Sequence, residues 1–184
     1  MFCSVLLEPP DFLTDKPVLT LLGAVGVAET VERSGGLAAS IKWPNDVLIE
    51  GRKTAGVLVE GRTGAAGRQT FVLGIGLNTG LVPPFPGSTS LGRELAREVD
   101  RTQLASRLLV RLDRWYRRLL RGHVDDLEEA WRSRSADVGK WLAVKCDGQF
   151  YEGKVLSVSL SGGVELRLRS GRRVTFKSEQ VVVL

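Results

Sequence analysis

A chain of 184 residues with 43% apolar residues is long enough to bury a core of its own, and suits one domain or one domain with a small appendage. Its 26 Lys and Arg against 21 Asp and Glu leave a net charge of +5, which favours anionic partners without choosing among nucleotides, acidic proteins and nucleic acid. Cys3 and Cys146 lie far apart among apolar neighbours and there is a single His, so the sequence offers neither a disulfide framework nor zinc-ligand spacing, and a reduced, cytoplasmic compartment fits best.

Residues 2–7 (F-C-S-V-L-L) read as a buried strand stopped by Glu8-Pro9-Pro10. The acidic Glu8, Asp11 and Asp15 stand where a signal peptide would be basic, and the apolar run 17–28 is too short to span a bilayer. Asp15 and Pro17 open a helix that runs to about Arg33, with Val18, Leu21, Leu22, Val25 and Ala28 on one mostly apolar face. Ser34-Gly35-Gly36 ends it, and Gly23 and Gly26 weaken it by roughly 1 kcal/mol each unless close packing needs them.

Ile41-Lys42-Trp43 is a short strand broken by Pro44. Asp46 to Glu50, a turn at Gly51-Arg52-Lys53, and Thr54 to Arg62 form a hairpin. Gly64 to Gly67 is a loop, and Gln69 to Leu77 the next strand. The runs V-L-I and V-L-V imply a sheet covered on at least one face. Residues 80–90 are loop. A helix over Thr102–Arg121 carries the stripe Leu104, Leu108, Leu112, Trp115, Leu119 beside an arginine stripe, Arg107, Arg111, Arg114, Arg118 and Arg121. Asp125 and Glu128 cap a short helix through Arg132. From Lys140 to Leu184, short strands broken by Asp147-Gly148, Ser161-Gly162-Gly163 and Ser170-Gly171 predict a small β-barrel packed on the larger domain.

The candidate chemistry sits at strand ends. Lys42, beside Trp43 and a proline-fixed turn, is either a solvated strand-end lysine or a point cation for a phosphate or carboxylate oxygen. Asn45-Asp46 is either a self-bonded turn pair or a device that orients a ligand, Lys42 or a metal. Gly74-x-Gly76-x-Asn78, and Gly56 in its own strand, either serve strand curvature or let a ligand approach the backbone. The former is no dinucleotide fingerprint, since a third glycine and a following helix are missing. The arginine stripe is a solvated face or a docking surface for an acidic protein, without the aromatic interleaving of a nucleic-acid binder.

Taken in order, K-W-P-N-D-V, a hairpin, K-x-A-G-V-L-V-E, V-L-G-I-G-L-N and S-T-S-L at 88–91 resemble the biotin protein ligases. The resemblance implies an α+β fold: a mixed sheet flanked by helices, of the kind shared with class II aminoacyl-tRNA synthetases, over residues 1–135, then an SH3-like barrel over 137–184. It implies ATP and biotin as substrates, Mg²⁺ as an aid, biotinyl-AMP as intermediate and the biotin carboxyl-carrier domain of a carboxylase as partner. Lys42 then contacts the biotin carboxylate and the α-phosphate region, and Asn45 and Asp46 shape that corner. Lys53, Gly56, Gly74 and Gly76 line the biotin and nucleotide pocket, and Asn78 lies near the nucleotide. No metal ligand is assigned.

The same resemblance implies a Gly/Arg-rich loop ahead of the first strand, and here Met1 immediately precedes that strand. The expectation is a chain lacking the N-terminal part of the catalytic domain, by a late start or truncation. It also lacks a DNA-binding domain, so no DNA binding is expected. Ser170-Gly171-Arg172-Arg173 falls in a barrel turn and does not replace the loop. These 184 residues are then expected to show no substantial biotin-dependent ATP–pyrophosphate exchange, and robust exchange by the purified chain would refute that. Two other readings remain: a lipoate ligase-like enzyme, separable by competition between biotin and lipoate, and a non-catalytic module holding a carrier domain on the Arg107–Arg121 face.

Overall fold

The computed structural model describes residues 1–64, 67–160 and 163–183. Ala65 and Ala66 of the predicted Gly64–Gly67 loop, Ser161 and Gly162 of a predicted strand break, and Leu184 lie outside the described residues. Two five-stranded sheets are joined by helices. The first contains β1 (Phe2–Leu7), β2 (Ala39–Lys42), β3 (Asp46–Ile49), β4 (Arg52–Thr63) and β5 (Gln69–Leu77), in the order β1-β5-β4-β3-β2. All its ladders are antiparallel, which corrects the expected mixed sheet: each strand follows its neighbour through a hairpin, except β1, which returns against β5.

β1 is an edge strand, not a buried one. It pairs only with β5, so Cys3, Val5 and Leu7 turn toward the core while Phe2 and Leu6 stay exposed. The hairpin β3–β4 turns on Glu50 and Gly51, both with positive φ (49° and 76°), as a two-residue turn requires.

Helix α1 (Lys16–Gly35) covers one face of this sheet. It ends on Gly36 at φ 73°, in the left-handed cap conformation. Asp15 stands at the N-cap but makes no side-chain capping hydrogen bond. The helix is buried nearly all round from Val18 to Val31 rather than along one stripe, because it is wedged between the sheet and the helical layer. Its two inner glycines explain how. A Cβ on Gly23 would stand 2.6 Å from Val57 Cγ1 and 2.9 Å from Leu73 Cδ1, and one on Gly26 would stand 2.7 Å from Leu112 Cδ2. Gly23 lets the helix approach the sheet, and Gly26 lets the next helix approach it.

That layer begins with the one-turn helix α2 (Leu91–Glu94), which follows the S-T-S-L run. Helix α3 (Arg101–Leu119) buries its predicted stripe Leu104, Leu108, Leu112, Trp115 and Leu119. Asp100 caps it, accepting hydrogen bonds from the Thr102 and Gln103 N–H groups at 2.9 and 3.0 Å. Helix α4 (Val124–Arg132) starts after His123 with no side-chain cap, so the predicted Asp125/Glu128 pair is not a cap. Glu128 instead pairs with Arg132.

The second sheet contains β6 (Trp141–Cys146), β7 (Gln149–Ser159), β8 (Gly163–Leu168), β9 (Arg173–Phe176) and β10 (Val181–Val183), in the order β10-β6-β7-β8-β9. Among the described residues it is an open sheet and not the expected closed barrel. β10 swings past a 3₁₀ turn (Ser178–Gln180) to pair with β6, and no ladder joins it to β9. Leu142, Val144, Val155, Val158, Val164, Leu166 and Phe176 fill its inner face and belong to the same buried cluster as the α1 core.

Candidate functional site

Cross-strand register brings the candidate residues into line. Lys42 pairs with Asp46, Asp46 with Gly56, Gly56 with Gly76, and Gly76 with Phe2. Directly paired residues share a face, so these five form one row across all five strands, on the side of the sheet opposite α1. Ala55, Val57, Ile75 and Leu77 point the other way, into the core.

At the centre of the row, Lys53 Nζ lies 2.6 Å from Asp46 Oδ1. A β-bulge between Val47 and Leu48 shifts the register there, aiming both side chains at the same point. A Cβ on Gly56 would stand 3.3 Å from Asp46 Oδ1 and 3.4 Å from Lys53 Cε, so the glycine keeps the floor beneath this pair open.

A cleft of about 520 Å³ opens over this floor, and its lining includes Lys53, Gly56, Gly76, Asn78, Phe2 and Phe85. Of the predicted residues, Lys53, Gly56, Gly76 and Asn78 therefore share one cavity. Asp46 touches it through Lys53. Gly74 lies two residues down β5, opposite Leu58 and Ser4, outside the lining. Lys42 ends the row at the β2 edge, two strand spacings or roughly 10 Å from Gly56.

Asn45 and Asn78 are committed to the backbone. Asn45 Nδ2 donates to Val57 O at 2.6 Å, and its own carbonyl accepts from Val57 N–H at 3.1 Å. The turn that carries Lys42 is thereby stitched to β4. Asn78 Nδ2 donates to Thr89 O at 3.0 Å, while the Thr89 N–H donates to Lys53 O at 2.8 Å. The buried Ser88-Thr89-Ser90 run is held further by Ser90 Oγ on Gly80 O and by Thr89 Oγ1 on Glu94. One side of the cleft is thus a rigid polar corner.

Phe2, Phe85 and Arg101 also line the cleft and were not singled out from sequence. Phe85 sits in the proline-rich segment right after G-I-G-L-N, and Arg101 follows the Asp100 cap; the position of each beside a candidate motif was the available signal. Asp137 was missed for a different reason. Its Oδ2 accepts from the Trp43 N–H at 2.5 Å across 94 residues of sequence. Burial pushes its carboxyl above the usual range, against the opposing pull of the Trp43 N–H and of Lys42 and Lys140.

The arginine stripe is not one free surface. Arg111 Nε lies 3.8 Å from Glu29 Oε2, and Arg118 pairs with Asp126 and lies over the Trp115 ring. Arg107, Arg114 and Arg121 remain exposed. Among the described residues, no three His, Cys, Asp or Glu side chains cluster to hold a metal, and no helix is long and apolar enough to cross a membrane.

The fold is that of the biotin protein ligases. The apo structure of biotin protein ligase from Aquifex aeolicus superposes with a TM-score of 0.84 at 21% identity, covering 100% of this chain and 81% of that one. The same enzyme in complex with biotin and ATP gives 0.84 and 21% identity, covering 100% of this chain and 77% of that one. In sequence, residues 1–78 match the biotin/lipoate A/B protein ligase family. The bifunctional ligase/repressor BirA of Bacillus subtilis is 30% identical over 97% of this chain, which covers 57% of that protein's length. The biotin–[acetyl-CoA-carboxylase] ligase of Paracoccus denitrificans is 29% identical over 93% of this chain and 75% of its own. The chain thus resembles biotin protein ligases in fold and along nearly its whole sequence, with the biotin/lipoate A/B protein ligase family match over residues 1–78.

Proposed function

We propose that this chain carries the site at which a biotin protein ligase joins biotin to ATP and passes it to a carrier lysine. The observation that carries the reading is the cross-strand row: an opposed glycine pair as floor, Lys53 held over it by Asp46, and Lys42 at its end. The Paracoccus relative is named as a biotin–[acetyl-CoA-carboxylase] ligase, and the Aquifex relative was solved with biotin and ATP. We read residues 1–135 as the catalytic domain and 137–184 as a small domain built on the open second sheet.

In the reaction, a biotin carboxylate oxygen attacks the α-phosphorus of ATP. The bond from that phosphorus to the α–β bridging oxygen breaks and pyrophosphate leaves. A neutral carrier lysine amine then attacks the acyl carbon of biotinyl-AMP, AMP leaves, and the nitrogen loses a proton. The first step brings two negative groups together, and the second builds negative charge on the acyl oxygen and the departing AMP phosphate, so both barriers fall where fixed cations face the reacting atoms. Lys42 and Lys53 supply those cations. Gly56 and Gly76 let the ligand lie on the strand backbone, and Phe2 and Phe85 give apolar walls. Asn45 and Asn78 act through the backbone they pin, shaping the corner and fixing the loop beside the nucleotide.

Among the described residues, the side chains do not fit a dedicated Mg²⁺ cage. The one carboxylate of the row, Asp46, is engaged by Lys53, so no step here runs through that ion.

Differential amine labelling tests this reading. A non-hydrolysable biotinyl-AMP analogue is expected to protect Lys42 and Lys53 while leaving Lys145 and Lys154 of the second sheet at their free rates. Uniform labelling with and without the analogue refutes the assignment.

A further inference from the structure

We infer that Asp137 is a positioning residue for Lys42, fixing the lysine's direction from the joint between the two sheets. The inference rests on the reading of Lys42 given above.

Three backbone and side-chain bonds meet at this joint. The Ile41 N–H donates to Arg134 O at 2.7 Å, and the Ala136 N–H donates back to Ile41 O at 2.8 Å. These two make a short parallel bridge between β2 and the connection that follows α4. One residue beyond, Asp137 Oδ2 takes the Trp43 N–H at 2.5 Å. Ile41 and Trp43 are the two neighbours of Lys42. Both are buried, and both are held by the same four-residue stretch, 134–137. Lys42, between them, has its backbone locked on either side and its side chain directed to the opposite face.

Asp137 is itself 6% exposed, an unusual place for a carboxylate. Burial opposes its ionised form, and Trp43 N–H, Lys42 and Lys140 oppose that burial effect. An apolar or amide side chain would fill the space without that penalty. A buried carboxylate beside Lys42 keeps a negative charge behind a lysine that must meet anionic groups in front, holding it oriented while unoccupied. The Lys140 N–H donates to Asp137 O at 2.8 Å, so the connection leads directly into β6. The second sheet is therefore tied mechanically to the Lys42 turn.

The test is a double-mutant cycle on the full chain, with affinity for the non-hydrolysable biotinyl-AMP analogue as the readout. Asp137→Ala is expected to weaken binding about 10-fold where Lys42 is present and less than about twofold in the Lys42→Ala background. Asp137→Asn keeps an acceptor for Trp43 but loses the charge behind Lys42, and is expected to recover only part of the loss, binding about threefold more weakly than the native chain. Equal losses in both Lys42 backgrounds, or none in either, overturn the inference. If Asp137→Ala does not fold, Asp137→Thr is used, with its shorter acceptor. It must change Trp43 amide exchange and the Lys42 labelling rate together, and a change in one alone overturns the inference. These two readouts need no ligand. Absence of analogue binding by the native chain therefore refutes the proposed function, while they still decide the role of Asp137.

Discussion

Replacing Gly76 by Val separates a ligand floor from an ordinary strand glycine. The backbone at Gly76 is not left-handed, and a Cβ there would meet only the Phe2 ring, at 3.4 and 3.6 Å. Phe2 is 95% exposed and free to yield, and valine suits a strand, so the fold should change by less than ~1 kcal/mol. At this size that is roughly 2–4 °C in Tm. The same side chain stands in the middle of the cleft floor, facing Gly56 across the ladder. Steric loss of about 1–3 kcal/mol corresponds to roughly 5- to 150-fold weaker binding. Gly74 supplies the control. It sits on the same face of the same strand, a Cβ there would meet only Leu58 O at 3.5 Å, and it is not part of the cleft lining. Calorimetric titration with the biotinyl-AMP analogue should show the loss for Gly76→Val and near-native affinity for Gly74→Val. Equal affinities, or equal losses, would refute the reasoning that the row at Gly56 and Gly76 is the binding floor.

Gly23→Ala and Gly26→Ala should each destabilise the chain despite better helix propensity, because overpacking of ~1–3 kcal/mol exceeds a propensity gain of about 1 kcal/mol. A urea midpoint at or above the native one for either would show that the close approach is not needed. Asn45→Ala removes the Nδ2 bond to Val57 O and should lower stability by roughly 1 kcal/mol. It should also speed amide exchange at Val57, whose N–H donates to Asn45 O; unchanged exchange would count against the stitch. Asp137 has a raised folded pKa, so its contribution to stability is fully present below the unfolded value of 3.8 and is lost as pH rises through the folded value. Asp137→Asn should therefore gain in Tm relative to the native chain between about pH 4 and pH 7. Parallel Tm curves over that range would contradict the burial of the charge.

Local pattern made much of this molecule legible before any coordinates. The 3.6-residue stripe from Leu104 to Leu119 is buried as predicted, since one helix face alone decides it. The hairpin at Glu50-Gly51 was legible because a two-residue turn leaves a chemical mark. Alternation cannot tell a strand's neighbours, and so β1 was read as buried although only one of its edges is paired. Short strands with glycine turns suit a barrel or an open sheet equally, and only the missing β9–β10 ladder decides between them. In the site, the sequence offers Lys42, Lys53, Gly56 and Gly76 as a series along the chain. That Lys42, Gly56 and Gly76 fall in one row with Asp46, beside Lys53, follows from register, which no single segment encodes. The Asn45 and Asn78 amides are occupied by distant carbonyls, and Asp137 reaches Trp43 across 94 residues, so neither was visible to a local reading.

The central claim is that this face handles a biotinyl adenylate through Lys42. Equilibrium binding of paired analogues, biotinyl-AMP and lipoyl-AMP, to the native chain and to Lys42→Ala tests it most directly. The native chain should prefer the biotinyl compound by at least about 10-fold, and Lys42→Ala should lose about 10-fold or more of that affinity, as removal of a charge-assisted contact requires. Equal affinity for the two adenylates, or unchanged binding without Lys42, would contradict the account.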